Sequence, residues 1–186
     1  VGAGAVLGVA ACSSPGARVG EGPTRVASAV PRSSTGTTRR LTLRAQPITL
    51  DLGGTIVRTW GFGDSVPGAP FRATAGDRVL VDFRNDLPEA TSVHWHGLAI
   101  RNDMDGVPGL TSPEIGAGGS FEYDFVVPDP GTHRFHPHHG PQIDRGLYAP
   151  FVVDAPDEPG SYDLEWIVVL DDWSDGMGPT LQETYE

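Results

Sequence analysis

Apolar and polar residues alternate with a two-residue period through much of this chain, and glycine or proline interrupts the runs at short intervals. Side chains at i and i+2 share one face of a strand, whereas a helix needs apolar residues at i, i+3, i+4 and i+7. The stretches at 41–45, 48–52, 55–60, 78–83, 92–100, 120–127, 132–138 and 147–153 read as strands. The 25 Gly and 17 Pro punctuate the sequence, with Gly53-Gly54 and Ala75-Gly76-Asp77 as turn signals. No helix-length amphipathic run stands out. About eight short strands with brief connections predict an all-β fold, an antiparallel sandwich or barrel.

The same period governs the histidines. Four of the six fall in two matching pairs, His94-Trp95-His96-Gly97 and His136-Pro137-His138, and the other two, His133 and His139, flank the second pair. On a strand each pair offers two imidazoles to one side, and imidazole is the commonest metal ligand. A single such pair is more often a surface pair or a mononuclear site. Two pairs brought together could cage metal. Trp95 alternates to the opposite face and reads as core. On a strand starting at Thr132, residues 134, 136 and 138 share a face and His133 takes the other, as a surface or second-layer residue. His139 is expected to point away from the pairs. Gln142, Asp144 and Arg145 read as loop-fixing hydrogen-bond partners.

A formal net charge of -11 argues against a nucleic-acid partner, which needs a basic face. The single cysteine, Cys12, excludes an intrachain disulfide. It follows an apolar stretch of small residues that is too short to span a bilayer. Residues 1–12 read as the remnant of an export signal, and Val9-Ala10-Ala11-Cys12 resembles a bacterial lipobox. The expectation is an exported, cell-surface or extracytoplasmic bacterial protein with a lipid anchor at Cys12. Residues 13–38, rich in Ser, Thr, Pro, Gly and Ala, are expected to be a disordered linker. A domain then runs over 39–158, and 159–186, with an apolar run at 163–170, is expected to open a second one. The ends look cut, so the chain is expected to be a fragment.

Several motifs together resemble the laccase-like multicopper oxidases. They are Thr91-Ser-Val-His94-Trp-His96-Gly-Leu98, Asp105-Gly-Val-Pro-Gly109, Gly131-Thr followed by His136-Pro-His138, Gln142 with Asp144-Arg-Gly-Leu-Tyr148, and Ile167-Val-Val-Leu-Asp-Asp172. The resemblance covers about 41–172 and implies the N-terminal cupredoxin domain of a three-domain enzyme, a cupredoxin-like Greek-key β-sandwich or barrel. It implies copper as cofactor and places His94 on a type 2 copper. His96 and His136 would share one type 3 copper, and His138 would bind the other. Two departures stand out: Arg134 where the family often has Trp, and His133 where it usually has a large aromatic.

Asp105 has two readings. Before Gly106 it is a turn residue whose carboxylate bonds its own backbone. The resemblance instead implies a catalytic carboxylate near the type 2 copper that helps deliver protons. The implied activity couples one-electron oxidation of a phenol, aromatic amine or metal ion to four-electron reduction of molecular oxygen to water. A type 1 copper needs a Cys and two His, and further cluster histidines are needed as well. Those ligands are expected in sequence not present here, so the fragment alone is expected to be inactive. Copper release is expected below about pH 6, where free imidazoles protonate. The alternative is an exported metal-binding cupredoxin module without redox catalysis.

Overall fold

The structure, a computed structural model, describes residues 34–185. The export-signal remnant, Cys12 and most of the expected linker lie outside the described residues. Eight strands form two four-stranded sheets: β1 (Thr38–Asp51), β2 (Ile56–Phe62), β3 (Phe71–Thr74), β4 (Arg78–Asn85), β5 (His94–His96), β6 (Ser120–Val126), β7 (Gly131–His136) and β8 (Ala149–Asp154). One sheet has the order β2-β1-β4-β6 and the other β3-β8-β7-β5. A five-residue helix, α1, spans Leu181–Tyr185.

The sandwich is mixed, where the sequence predicts an antiparallel one. β1 runs parallel to β4 and β3 parallel to β8, while the remaining pairs are antiparallel. The crossovers explain this. After β2 the chain crosses to the other sheet for β3, then returns to place β4 alongside β1 in the same direction. Parallel neighbours require such a crossing.

β1 is one strand of 14 residues where the sequence reads as two. Its first part pairs with β4 as far as Ala45, and the rest pairs with β2 alone. Pro47 therefore sits where β1 has become an edge on one side, and edges tolerate a missing N–H. β3 has only four residues and was not expected. The stretch at 163–170 forms no strand, contrary to expectation, because no described strand runs beside it. Trp166 and Leu170 on it are 80% and 92% exposed. Tyr148 anchors its far end by donating to Asp171 Oδ2 at 2.6 Å, and Arg72 anchors the near end through Glu165.

The core lies between the sheets, filled by inward residues of both. Leu43, Val79, Val81, Phe83, Tyr123 and Phe125 come from one sheet, and Trp95, Phe135, Phe151 and Val153 from the other. Trp95 is fully buried, its ring 5.0 to 6.0 Å from those of Tyr123, Phe125, Phe135 and Phe151. Burying an indole of about 200 Å² stabilises by roughly 5 kcal/mol. That burial fixes the pleat of β5, and with it the direction of the two histidines beside Trp95.

Candidate metal centre

β5 is three residues long and pairs with the end of β7. His94 stands opposite His136, Trp95 opposite Phe135, and His96 opposite Arg134. Opposed residues share a face, so Trp95 and Phe135 point into the core while the histidines point out of it. Pro137 follows the last residue of β7, and His138 lies in the loop beyond, where the sequence predicts continued strand. A hydrogen bond holds it there instead: the His138 N–H donates to Ser92 Oγ at 3.0 Å.

The four rings converge. Their centroids lie 5.8 Å apart for His94 and His96, 5.5 Å for His94 and His136, and 5.3 Å for His96 and His136. The His138 ring is 4.9 Å from His94 and 5.5 Å from His136. One ring nitrogen each from His94, His96 and His136 fall within 4.8 Å of one another.

Two tautomers are set by neighbouring carbonyls. His94 Nδ1 lies 2.8 Å from the Asp105 carbonyl oxygen, and His136 Nδ1 lies 2.8 Å from the Pro137 carbonyl oxygen. A carbonyl only accepts, so each Nδ1 carries the proton and each Nε2 keeps its lone pair. His96 Nδ1 is 3.1 Å from His136 Nε2. Two nitrogens bonded to one metal ion at about 2.0–2.1 Å, at angles of roughly 90–110°, stand about 2.8–3.4 Å apart. The pair therefore fits a shared transition-metal ion, and imidazole nitrogen suits copper. Burial pushes the His136 imidazole down to about 4, and it stays low although the Pro137 carbonyl favours the proton. Burial, then the Arg134 guanidinium, lowers His96 as well. Both rings are neutral at pH 7, as ligation requires.

Asp105 sits in a tight loop and beside His94 at once. Its Oδ1 is 3.3 Å from His94 Nδ1, and its Oδ2 is 3.4 Å from the Thr111 hydroxyl. The Nδ1 proton goes to the closer backbone carbonyl, which leaves the carboxylate a weaker second contact. Gly106 allows the approach. It has a φ of +77°, and a Cβ there would stand 1.8 Å from the Val93 carbonyl oxygen.

His139 points to Glu114, with Nε2 3.3 Å from Oε2, and is not in the four-ring group. His133 is half-buried against Gly97 and Gly131. The Arg145 guanidinium stacks on Trp60 at 3.7 Å and faces Asp175, so it fixes its loop. Sequence reading gave no role to Thr91, Ser92 or Tyr123. Thr91 and Ser92 are fully buried hydroxyls, and the Tyr123 oxygen accepts from the Val93 N–H at 3.0 Å. A Thr-Ser dipeptide placed just before Val93-His94-Trp95-His96 was the available signal.

A family profile described as multicopper oxidase matches residues 45–158. The chain is 51% identical to multicopper oxidase MmcO of Mycobacterium tuberculosis over 190 aligned positions, covering 100% of this chain and 38% of that protein. It is 37% identical to laccase-2 of Cryptococcus neoformans, over 67% of this chain and 22% of that one. A crystal structure of a multicopper oxidase from Pseudomonas thermotolerans superposes with a TM-score of 0.64 at 35% identity, covering 67% of this chain and 31% of that chain. The chain thus spans well under half the length of these relatives. The matched span, the half-identical relative and the shared cupredoxin sandwich together make this chain a member of the multicopper oxidase family.

Proposed function

We propose that the chain is the N-terminal cupredoxin domain of a laccase-like oxidase that couples one-electron oxidation of a reducing substrate to four-electron reduction of molecular oxygen to water. The observation that carries this reading is the four-imidazole group on the β5–β7 edge, with the His94 and His136 tautomers set by carbonyls. His94 would hold the type 2 copper, His96 and His136 one type 3 copper, and His138 the other. Copper supplies one-electron redox chemistry and open positions for oxygen.

The chain's own residues orient and protonate. The Asp105 carbonyl and the Pro137 carbonyl keep Nε2 of their partner rings free to bind. Reducing oxygen to water takes up protons, and the Asp105 carboxylate, 22% exposed and next to His94, is placed to take one from solvent at Oδ1 and release it at the site. Phenols, aromatic amines and low-valent metal ions are the substrate classes that fit. The domain would span 39–158, in keeping with a family match that ends at residue 158, and 159–186 would begin a second domain. The type 1 copper needs a Cys and two His, while Cys12 is the sole cysteine of this sequence, so that site would come from elsewhere in the encoded protein. Export is expected, with a lipid anchor at Cys12.

The test is oxygen uptake by the whole encoded protein, loaded with copper and offered a phenol, an aromatic amine and a reduced metal ion in turn. Uptake that His94→Ala abolishes is expected. Copper binding without uptake on any of the three contradicts the oxidase reading and favours the non-redox metal-binding module.

A further inference from the structure

The β5–β7 ladder stops at His136, so pairing between strands does not fix where His138 stands. The loop beyond it is held by two buried side chains, Ser92 and Gln142. Gln142 is 1% exposed, and its carboxamide reaches back across the site to the segment that leads into His94. Its Oε1 accepts from the Thr91 hydroxyl at 2.6 Å. Its Nε2 donates to the Ala90 carbonyl at 2.8 Å and to Glu89 Oε1 at 2.9 Å, with His139 Nδ1 at 3.3 Å. Ala90 and Glu89 offer oxygens that only accept, and the hydroxyl can donate, so the orientation of the amide is forced. Next to Thr91, Ser92 takes the backbone N–H of His138 at 3.0 Å. The two histidine pairs are therefore tied at two points, through Gln142 to residues 89–91 and through His138 to Ser92.

We propose that Gln142 is a positioning residue for the metal centre: its carboxamide sets the separation between the His94–His96 strand and the His138 loop. The hydrogen bonds of the Gln142 side chain go to Thr91, Glu89, Ala90 and His139, so it acts through the segments that carry the four rings. The inference rests on the copper reading for its function, but its structural content stands without metal. A carboxamide suits the task because it alone offers two donors and an acceptor on one rigid plane. Every donor and acceptor of the plane is used, which favours a single arrangement of the loop.

The test uses the whole encoded protein, with Gln142→Met, which keeps the length and loses the hydrogen bonds, and the milder Thr91→Val, which removes one. In copper-free protein, amide exchange at His138 should speed up about tenfold or more in Gln142→Met and by less in Thr91→Val, with the β1–β4 ladder still protected. Cu(II) titration followed by the nitrogen hyperfine pattern in electron paramagnetic resonance should show affinity weakened about 10–100-fold, as for the loss of other groups that orient ligands. A change in the number of coupled imidazoles is expected too. Unchanged His138 exchange in both variants overturns the proposal whether or not copper binds. Wild-type copper affinity in Gln142→Met, where the wild type does bind copper, overturns it as well. A wild type that takes up no copper would instead contradict the copper reading, and the exchange comparison would still decide on Gln142.

Discussion

A methyl group at position 106 would stand 1.8 Å from the Val93 carbonyl oxygen, on a backbone already at a φ of +77°. Gly106→Ala must therefore push the 105–112 loop away from β5 and stretch the bond from His94 Nδ1 to the Asp105 carbonyl. Strain of this kind costs about 2 kcal/mol or more, read as a lower urea midpoint, and copper affinity should fall about 10–100-fold with the lost orientation. Asp105→Asn separates the two roles of that residue. It keeps the carbonyl contact and removes the ionisable group. Copper content should hold while oxygen reduction slows about 10²–10⁴-fold. Unchanged turnover across the pH range would leave Asp105 a turn residue only. Protonation of His136 links the stability of the fold to pH. Its buried ring has a proton affinity depressed from 6.5 to about 4, so the unfolded chain binds the proton first as pH falls. Stability from this group is fully present above about pH 6.5 and is lost on the way down to about pH 4. The loss in copper-free protein is roughly 3–4 kcal/mol at ~1.4 kcal/mol per tenfold change in proton affinity. Urea unfolding against pH should show that slope, and His136→Ala should flatten it. For the same reason this ligand should resist protonation below pH 6, where the sequence alone expects copper release.

At the scale of elements, the histidine geometry depends on how β5 is anchored. Three residues make a weak strand, and Trp95 holds it by filling the space between the sheets. Trp95→Ala should destabilise by about 3–5 kcal/mol, measured by urea unfolding, without removing a single ligand. The alternation that identifies Trp95 as core and His94 and His96 as outward was legible in the sequence, because it depends only on the pleat. Other features were not legible, since their causes lie far along the chain. Pro47 looks like a strand break, yet β1 passes through it because β4 has already ended alongside. The parallel pairs follow from crossovers that no local pattern encodes. His138 was expected on a strand, and Pro137 ends that strand before it. The bonds of Gln142 to Thr91, Ala90 and Glu89 join positions some fifty residues apart, so local pattern could suggest a loop-fixing role and no partner.

At the scale of the molecule, the four rings lie on an edge of the sandwich instead of within its core, with His96 and His138 open to solvent. Such a site can be completed by groups from elsewhere. The six histidines and one cysteine of this chain cannot supply both a type 1 copper and a full trinuclear set. The 186-residue chain alone should therefore bind copper weakly and turn over no substrate, and robust phenol oxidation by it would contradict that account. Asp77 is one of the groups that tie the frame's stability to pH. Burial raises its carboxyl, but the Thr74 amide, the Arg39 guanidinium and the Thr35 hydroxyl outweigh burial and hold it below the ordinary range. Its contribution to stability is present above the ordinary carboxylate range and is lost as pH falls through the lowered value. Whether the two histidine pairs share copper is read from copper per chain. The whole encoded protein is loaded, desalted and compared with a variant carrying His96→Ala and His136→Ala together. The variant should lose the copper these two rings share, and a copper content unchanged from the wild type would contradict a shared site.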